Sequence, residues 1–285
     1  MSVVKATIND ELFSQKKAHQ YQLSVLVGAD SLLYLVHDQD MRILLLKTYT
    51  FDSTAASTSS NSTAALETLS KDRFLQLAYR EVKVAHISQK RAFVPNRLYH
   101  PDQKRIYLDH VAQVLKHEAV RSDDLSLLRS QNIYTLDQSI LNRTQQLFPR
   151  SKHFHITSAL YLGYRNCCLS NAANLFLNLR DQTIQLFLFQ GQELLFANAM
   201  SIQSPDDVVY YVLMVFNQYN LSKDKQLLQV SGDLLENSDY HRALYRYIRY
   251  IKPTASSVNY TYSEANRRQL EKHHFFDLMS VALCS

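Results

Sequence analysis

His153 and His155 stand two residues apart, which on a strand would put both imidazoles on one face and offer two ligands to a metal ion. No third His, Cys or carboxylate follows at a recognised spacing, so the pair reads as surface histidines near a helix start. His273 and His274 lead into a strongly apolar tail, where packing or capping is the better reading. No metal site is expected. Cys167, Cys168 and Cys284 form an odd set, two of them adjacent, which gives neither a disulfide framework nor CxxC metal spacing. With no histidine at a motif distance, the adjacent pair reads as buried small hydrophobes. Asp123-Asp124 and Asp206-Asp207 could supply paired carboxylates for acid–base work, but that needs burial, which their polar neighbours do not suggest. Both pairs read as helix starts. Arg242, Arg246 and Arg249 fall at i, i+4 and i+7, which would line guanidinium groups along one helix face, with Tyr245 and Tyr250 nearby and Lys252 at the end. Such a row could follow a phosphate backbone and stack on bases. A solvated face whose opposite side, Leu244, Ile248 and Ile251, packs inward is the commoner reason for one. The chain holds no GxSxG elbow, Walker loop or HExxH helix.

The elements that must carry these groups repeat. A meander of three strands followed by a helix starts near Leu23 and again near Leu175, which points to duplicated halves. In the first half, Leu23–Val27, Leu32–His37 and Arg42–Phe51 are rich in β-formers and separated by Gly28-Ala29-Asp30 and Asp38-Gln39-Asp40. Residues 52–68, nearly all Ser, Thr, Ala and Asn, are expected to form a flexible surface loop. Ser70 then offers an N-cap to a helix carrying Phe74, Leu77, Ala78 and Val82. A strand ending at Pro95, a helix over 104–119, a strand over 133–136 and a helix over 139–148 follow. Pro149 marks the boundary between a first lobe, 1–150, and a second, 151–285.

The second meander runs through Asn174–Leu179, Thr183–Phe189 and Glu193–Met200. The next helix has Ser204 as N-cap, Pro205 at its first position and Asp206-Asp207 against the macrodipole, and its apolar residues recur on every side, which predicts burial nearly all round. Gln226–Val230 is a short strand that runs into Ser231-Gly232-Asp233 and a helix, the kind of corner that faces ligands in α/β sheets.

Composition bounds the function more loosely. With 46% hydrophobic and 20% charged residues the chain is a folded globular protein, and a formal charge of +5 is mainly a statement about solubility. The start, MSVVKATINDELF, lacks a signal peptide's features, and no apolar stretch approaches membrane-spanning length, so a cytoplasmic protein with no membrane insertion is expected. Glycine is scarce, at 4 residues, which leaves few places where phosphate could approach the backbone.

The meander LFLNLRDQTIQLFLFQGQELLFANAM resembles the second phosphate hairpin of the actin-like ATPase superfamily, especially its pilus-assembly and cell-division branch. QLLQVSGDLLEN resembles that superfamily's adenosine loop. With YQLSVLVGADSLLYLV, RAFVPNRLY and HHFFDLMSVAL, the whole chain is similar to a bacterial family of unknown function with an actin-like ATPase fold. The resemblance implies a two-lobed, duplicated α/β fold of ribonuclease H-like type, with mixed sheets flanked by helices. It also implies a nucleotide cleft near Gly28, Asp30, Asn178, Arg180, Asp181, Thr183, Gly232 and Asp233.

That cleft departs from the family pattern at each motif. Gly28 fits the first hairpin's glycine, but Leu26 stands in place of its aspartate and Leu33 where a lysine can occur. In the second hairpin Asn178 replaces the aspartate and Arg180 the glycine, and the adenosine loop's glycine pair has become Gly232-Asp233. Magnesium prefers carboxylates and water, and the usual carboxylates are missing. The resemblance therefore implies a degenerate nucleotide site in a non-catalytic scaffold or binding protein, without cofactor, that recruits a protein partner or self-associates. The alternatives are weak ATP binding or hydrolysis, with magnesium, in the same cleft, and a nucleic-acid-binding accessory role through the Arg242 row.

Overall fold

The computed structural model describes all residues except Met1, 52–57, Leu169, Ser257, 264, 265 and 267–271. The chain divides into two compact units, the first holding Met1–Ala159, Asn259–Gln269 and Val281–Ser285, the second Leu160–Val258 and Leu270–Ser280. The lobes read from sequence meet at Pro149, whereas the compact first unit runs on through Ala159 and takes in parts of the C-terminal passage.

The first unit is built on a six-stranded sheet of β1 (Ser2–Asn9), β2 (Gln22–Val27), β3 (Ser31–His37), β4 (Ile43–Phe51), β5 (Glu81–His86) and β9 (Lys152–His155), in the order β1-β4-β3-β2-β5-β9. The β2–β3–β4 meander is antiparallel, and β5 and β9 add in parallel. Every residue of β3 is buried, so both sheet faces are covered and the strand reads as a continuous apolar run. Between β5 and β9 the chain forms a separate antiparallel sheet of β6 (Arg91–Pro95), β7 (Glu118–Leu125) and β8 (Ser130–Asp137), in the order β6-β8-β7.

The second unit repeats the plan. Strands β10 (Ala173–Arg180), β11 (Thr183–Gln190) and β12 (Glu193–Ser201) form the meander, and β13 (Leu227–Gly232) and β14 (Tyr250–Pro253) add in parallel, giving β12-β11-β10-β13-β14. This is the order β4-β3-β2-β5-β9 again, so the duplication seen in the sequence is a duplication of topology. Leu175, Leu177 and Leu179 of β10 and Ile184, Leu186 and Leu188 of β11 form one core with helix α5 (Pro205–Gln218). The N-terminus of α5 is a capping box in which Ser204 and Asp207 satisfy each other's backbone N–H groups.

Several helical expectations are corrected. The expected loop over 52–68 is helical where it is described: α1 (Thr58–Lys71) buries Ala65 and Leu69, while 52–57 lie outside the described residues. Its hydroxyls turn back on the helix, Thr68 Oγ1 to Ala64 O at 2.9 Å and Ser70 Oγ to Leu66 O at 2.7 Å, so a Ser/Thr-rich stretch is satisfied without leaving the helix. Ser70 therefore caps nothing. The chain turns at Asp72, whose carboxylate accepts from the Phe74 N–H at 2.7 Å, and Val82 lies on β5. The helix expected over 104–119 is only α2 (Lys104–Asp109), because Leu108 alone of its side chains is buried. Asp123-Asp124 lie on β7 and start no helix, and α5, apolar on every side, is not buried all round, with Tyr210 65% exposed. The arginine row is also broken, since α6 (Asp239–Tyr245) ends before Arg246.

Candidate functional site

The residues singled out in the second unit come together at the end of β10. The alternation of a strand sends Leu175, Leu177 and Leu179 to the α5 side and Phe176, Asn178 and Arg180 to the other. Asp181 and Gln182 make a two-residue hairpin turn with φ of 49° and 54°, so Arg180 pairs directly with Thr183. Arg180 is 3% exposed and fully engaged. Its Nε donates to Asp277 Oδ2 at 2.9 Å, its Nη2 to Asp277 Oδ1 at 3.1 Å and to the His274 carbonyl at 2.5 Å, and its Nη1 to Asp233 Oδ1 at 2.6 Å. Burial by itself lowers the arginine pKa, and the Asp277 and Asp233 carboxylates outweigh it and raise the pKa above the ordinary value.

Asp277 sits on the short helix Phe276–Ser280 with its side chain wholly buried, so its charge is balanced inside the fold by Arg180. His274 Nδ1 lies 3.0 Å from Gly232 O, which makes that nitrogen the donor. Burial, then the nearby Arg180 charge, lowers the His274 pKa against the pull of Asp233 and Asp277.

Gly232 is required by its surroundings. Its φ is +76°, and a Cβ there would lie 2.1 Å from Leu179 O and 2.9 Å from Asn178 Nδ2. The glycine lets β13 end against β10, where the Asp233 N–H donates to Leu179 O at 2.7 Å. Asn178 is buried and donates to Ser231 Oγ at 3.1 Å, and Ser231 Oγ also meets Tyr164 OH at 2.7 Å. Tyr164, on α4 (Ile156–Cys167), is stacked between Phe176 and Phe276 at centroid distances of 4.4 and 4.8 Å. Thr183 is buried and its Oγ1 lies 3.4 Å from Asp181 O. Of the sequence-read set, Arg180 and Gly232 thus meet Asp277 and His274, which that set did not include, and Arg180 brings Asp233 with it. The available signal was a lone aspartate in the apolar tail HHFFDLMSVAL, since a buried carboxylate requires a cation.

Gly28 and Asp30 belong to the first unit, in the turn between β2 and β3. There the Gly28 N–H donates to Ser31 O at 2.9 Å and the Phe51 N–H to Asp30 O at 2.8 Å, and burial raises the Asp30 pKa. Leu26 and Leu33 face each other across the β2–β3 ladder and are fully buried. Both positions are part of the core.

A second polar cluster in the first unit was not legible as a site. Asp123 on β7 is buried and accepts from Ser158 Oγ at 2.6 Å, the His155 N–H at 2.8 Å and Tyr134 OH at 3.0 Å. Burial pushes its pKa up to about 6 against those hydrogen bonds. His155 is no surface residue but fully buried, with Nε2 on Ser88 O at 2.8 Å and Nδ1 accepting from the Thr157 N–H at 3.1 Å. His86 Nε2 and His153 Nδ1 are 3.0 Å apart, with rings stacked at 5.3 Å. Burial lowers the pKa of all three histidines, to about 4 for His153 and about 3 for His155, so they are neutral near pH 7. Among the described residues no group of three or more His, Cys, Asp or Glu could hold a metal ion. With Asp123 and Ser158 both buried, the network ties β7, β9 and the start of α4 together. Cys168 is buried and Cys167 half-buried, and burial raises both thiols to about 11. They are poor nucleophiles.

The fold has solved counterparts. A crystal structure from Bacteroides thetaiotaomicron VPI-5482, described as having an actin-like ATPase fold and unknown function, superimposes with a TM-score of 0.77 at 18% identity, covering 96% of this chain and 100% of that one. The PilM–PilN type IV pilus biogenesis complex matches with a TM-score of 0.58 at 11% identity, over 92% of this chain and 97% of that one. The ethanolamine utilization protein EutJ from Carboxydothermus hydrogenoformans matches with a TM-score of 0.50 at 7% identity, over 93% and 90%. At these identities the likeness establishes the fold, an actin-like mixed α/β architecture, and leaves activity open. Among the described residues no helix is long and apolar enough to cross a membrane. No curated protein matches the chain. The family model for a protein of unknown function, DUF3822, matches residues 10–251, and the chain belongs to that family.

Proposed function

We propose that this protein is a non-catalytic, actin-like scaffold or binding protein of the bacterial cytoplasm, with a degenerate nucleotide site, that recruits a protein partner or self-associates. The observation that carries this reading is the engagement of Arg180. At the position where the superfamily keeps a glycine, a guanidinium stands buried, held by Asp277, Asp233 and the His274 carbonyl. For Arg180 to serve a phosphate, it would have to leave Asp277 as an unpaired buried carboxylate, which costs about 3–5 kcal/mol. Leu26 and Leu33, both in the core, support the same reading in the first unit, because neither offers an oxygen to magnesium nor a cation to phosphate. Gly232, the remaining glycine of the adenosine-loop motif, is accounted for by the approach of β10 without any ligand. The partner is suggested by the PilM–PilN complex, a pilus biogenesis complex that matches this fold.

The test is a thermal-shift titration of the full chain with magnesium-ATP. A ligand present at a hundred times its Kd adds about 2.7 kcal/mol to native stability, a rise in Tm that is easily read. An unchanged Tm is expected, and a saturable rise defeats the reading.

A further inference from the structure

The two edges of the second unit's sheet are finished differently. At one edge β14 is four residues long and ends in Lys252 and Pro253, which blunt an edge against further pairing. At the other, β12 runs for nine residues, ELLFANAMS, with no proline, no cation and its single charge at Glu193. Among the described residues only β11 pairs with it. Leu194, Phe196, Ala197, Ala199 and Met200 are each left half-buried and Leu195 is 42% exposed. A long, neutral, apolar edge of this kind invites another strand.

The ladder fixes which groups it offers. The Ile202 N–H donates to Gln182 O at 2.9 Å, so by alternation the N–H and C=O of Ala197 and Ala199 point away from β11. The Ala199 N–H has only its neighbour's Asn198 Oδ1, at 2.9 Å. Leu195, at the register shift opposite Leu188 and Phe189, has its carbonyl taken by Tyr219 OH at 3.1 Å, so the open stretch begins at Phe196.

We propose that β12 is the seam of a homodimer, pairing antiparallel with β12 of a second copy about a two-fold axis at Asn198 and joining the two sheets into one. The strand is complementary to itself in this register. Ala197 and Ala199 exchange N–H···O=C bonds with Ala199 and Ala197 of the other copy, the exposed Asn198 amides meet across the axis, and Phe196 lies opposite Met200, a favourable sulfur–aromatic pair. Glu193 falls opposite Gln203, so no like charges face each other. A parallel arrangement would set Glu193 against Glu193. This pairing rests on the assembly reading above and names its partner, but the nucleotide titration does not bear on it.

Sedimentation velocity of the full chain over a concentration series tests it. The wild type is expected to dimerise, and Ala197→Pro and Ala199→Lys each to weaken the dimer at least tenfold. Because the Ala197 N–H faces outward, proline there removes no bond to β11, and an unchanged circular dichroism spectrum checks this. If Ala197→Pro disturbs the fold, Ala199→Lys decides alone. Asn198→Cys, whose Cα would face its copy at about 4.5 Å, is expected to give a disulfide-linked dimer on mild oxidation. A wild type that stays monomeric throughout, a dimer untouched by the edge variants, or a dimer that Asn198→Cys does not cross-link overturns the proposal. Each of these outcomes leaves the ATP result standing.

Discussion

Replacing Asp277 by asparagine should destabilise the second unit more than any other single exchange of a carboxylate for its amide there. The aspartate is wholly buried and holds Arg180 through two bonds, at 2.9 and 3.1 Å, while also accepting from the Leu278 N–H at 2.8 Å. Asparagine keeps one acceptor but turns an N–H₂ donor toward the guanidinium. Breaking a buried pair from one side costs about 3–5 kcal/mol, and the lower end applies because Asp233 and the His274 carbonyl still hold the cation. With an m-value of about 2–3 kcal/mol/M, the urea midpoint falls by about 1–1.5 M. Tyrosine fluorescence reports the transition, since the chain has 18 Tyr and no Trp. Asp233→Asn is the control, because that side chain is 41% exposed and its pair is worth at most about 1 kcal/mol. Changing Arg180 and Asp277 to leucine together should recover stability to within about 1 kcal/mol of wild type, as apolar replacements of buried pairs do. An Asp277→Asn midpoint within error of wild type, or a double variant as weak as the singles, would refute the assignment of Arg180 to an internal pair.

Two further outcomes follow from the first unit's histidines and from α5. His153 and His155 have folded pKa values of about 4 and about 3, below the unfolded value of about 6.5, so the unfolded chain binds more protons and stability falls as pH drops from about 6.5 toward 4. Asp123, raised to about 6, works in the opposite sense over the same window, but the histidines outnumber it. His153→Leu should therefore flatten the acid limb of a stability–pH curve by up to one proton, about 1.4 kcal/mol per pH unit, in urea titrations from pH 7 to 4. In α5, Val212→Asp puts a charge at a fully buried position and should cost about 4 kcal/mol or more, whereas Tyr210→Ser on the exposed side should change the midpoint by at most about 0.5 kcal/mol.

Much of the scaffold was legible because it is written in local signals. The meander strands are apolar runs between turn residues, and Ser204, Pro205 and Asp207 announce the start of α5 before any tertiary contact is known. The failures have physical causes. Helix α1 was hidden by the Ser and Thr residues that dominate its sequence, although Ala65 and Leu69 are buried and Ala64 and Leu66 pack beside them. The Arg180–Asp277 pair joins positions 97 apart, which no spacing rule reaches. Asp123 looked solvated because Ser122 and Asp124 flank it, yet a strand sends its neighbours to the opposite face and leaves Asp123 against Tyr134 and Ser158.

The crossover from β5 to β9 accommodates an entire extra sheet, while its counterpart from β13 to β14 makes do with α6. Closing a longer connection adds only about 0.6 kcal/mol for each doubling of its length, so the parallel ladder tolerates growth at that junction without losing register. In this chain that junction carries the added surface, while five strands of each sheet keep one order.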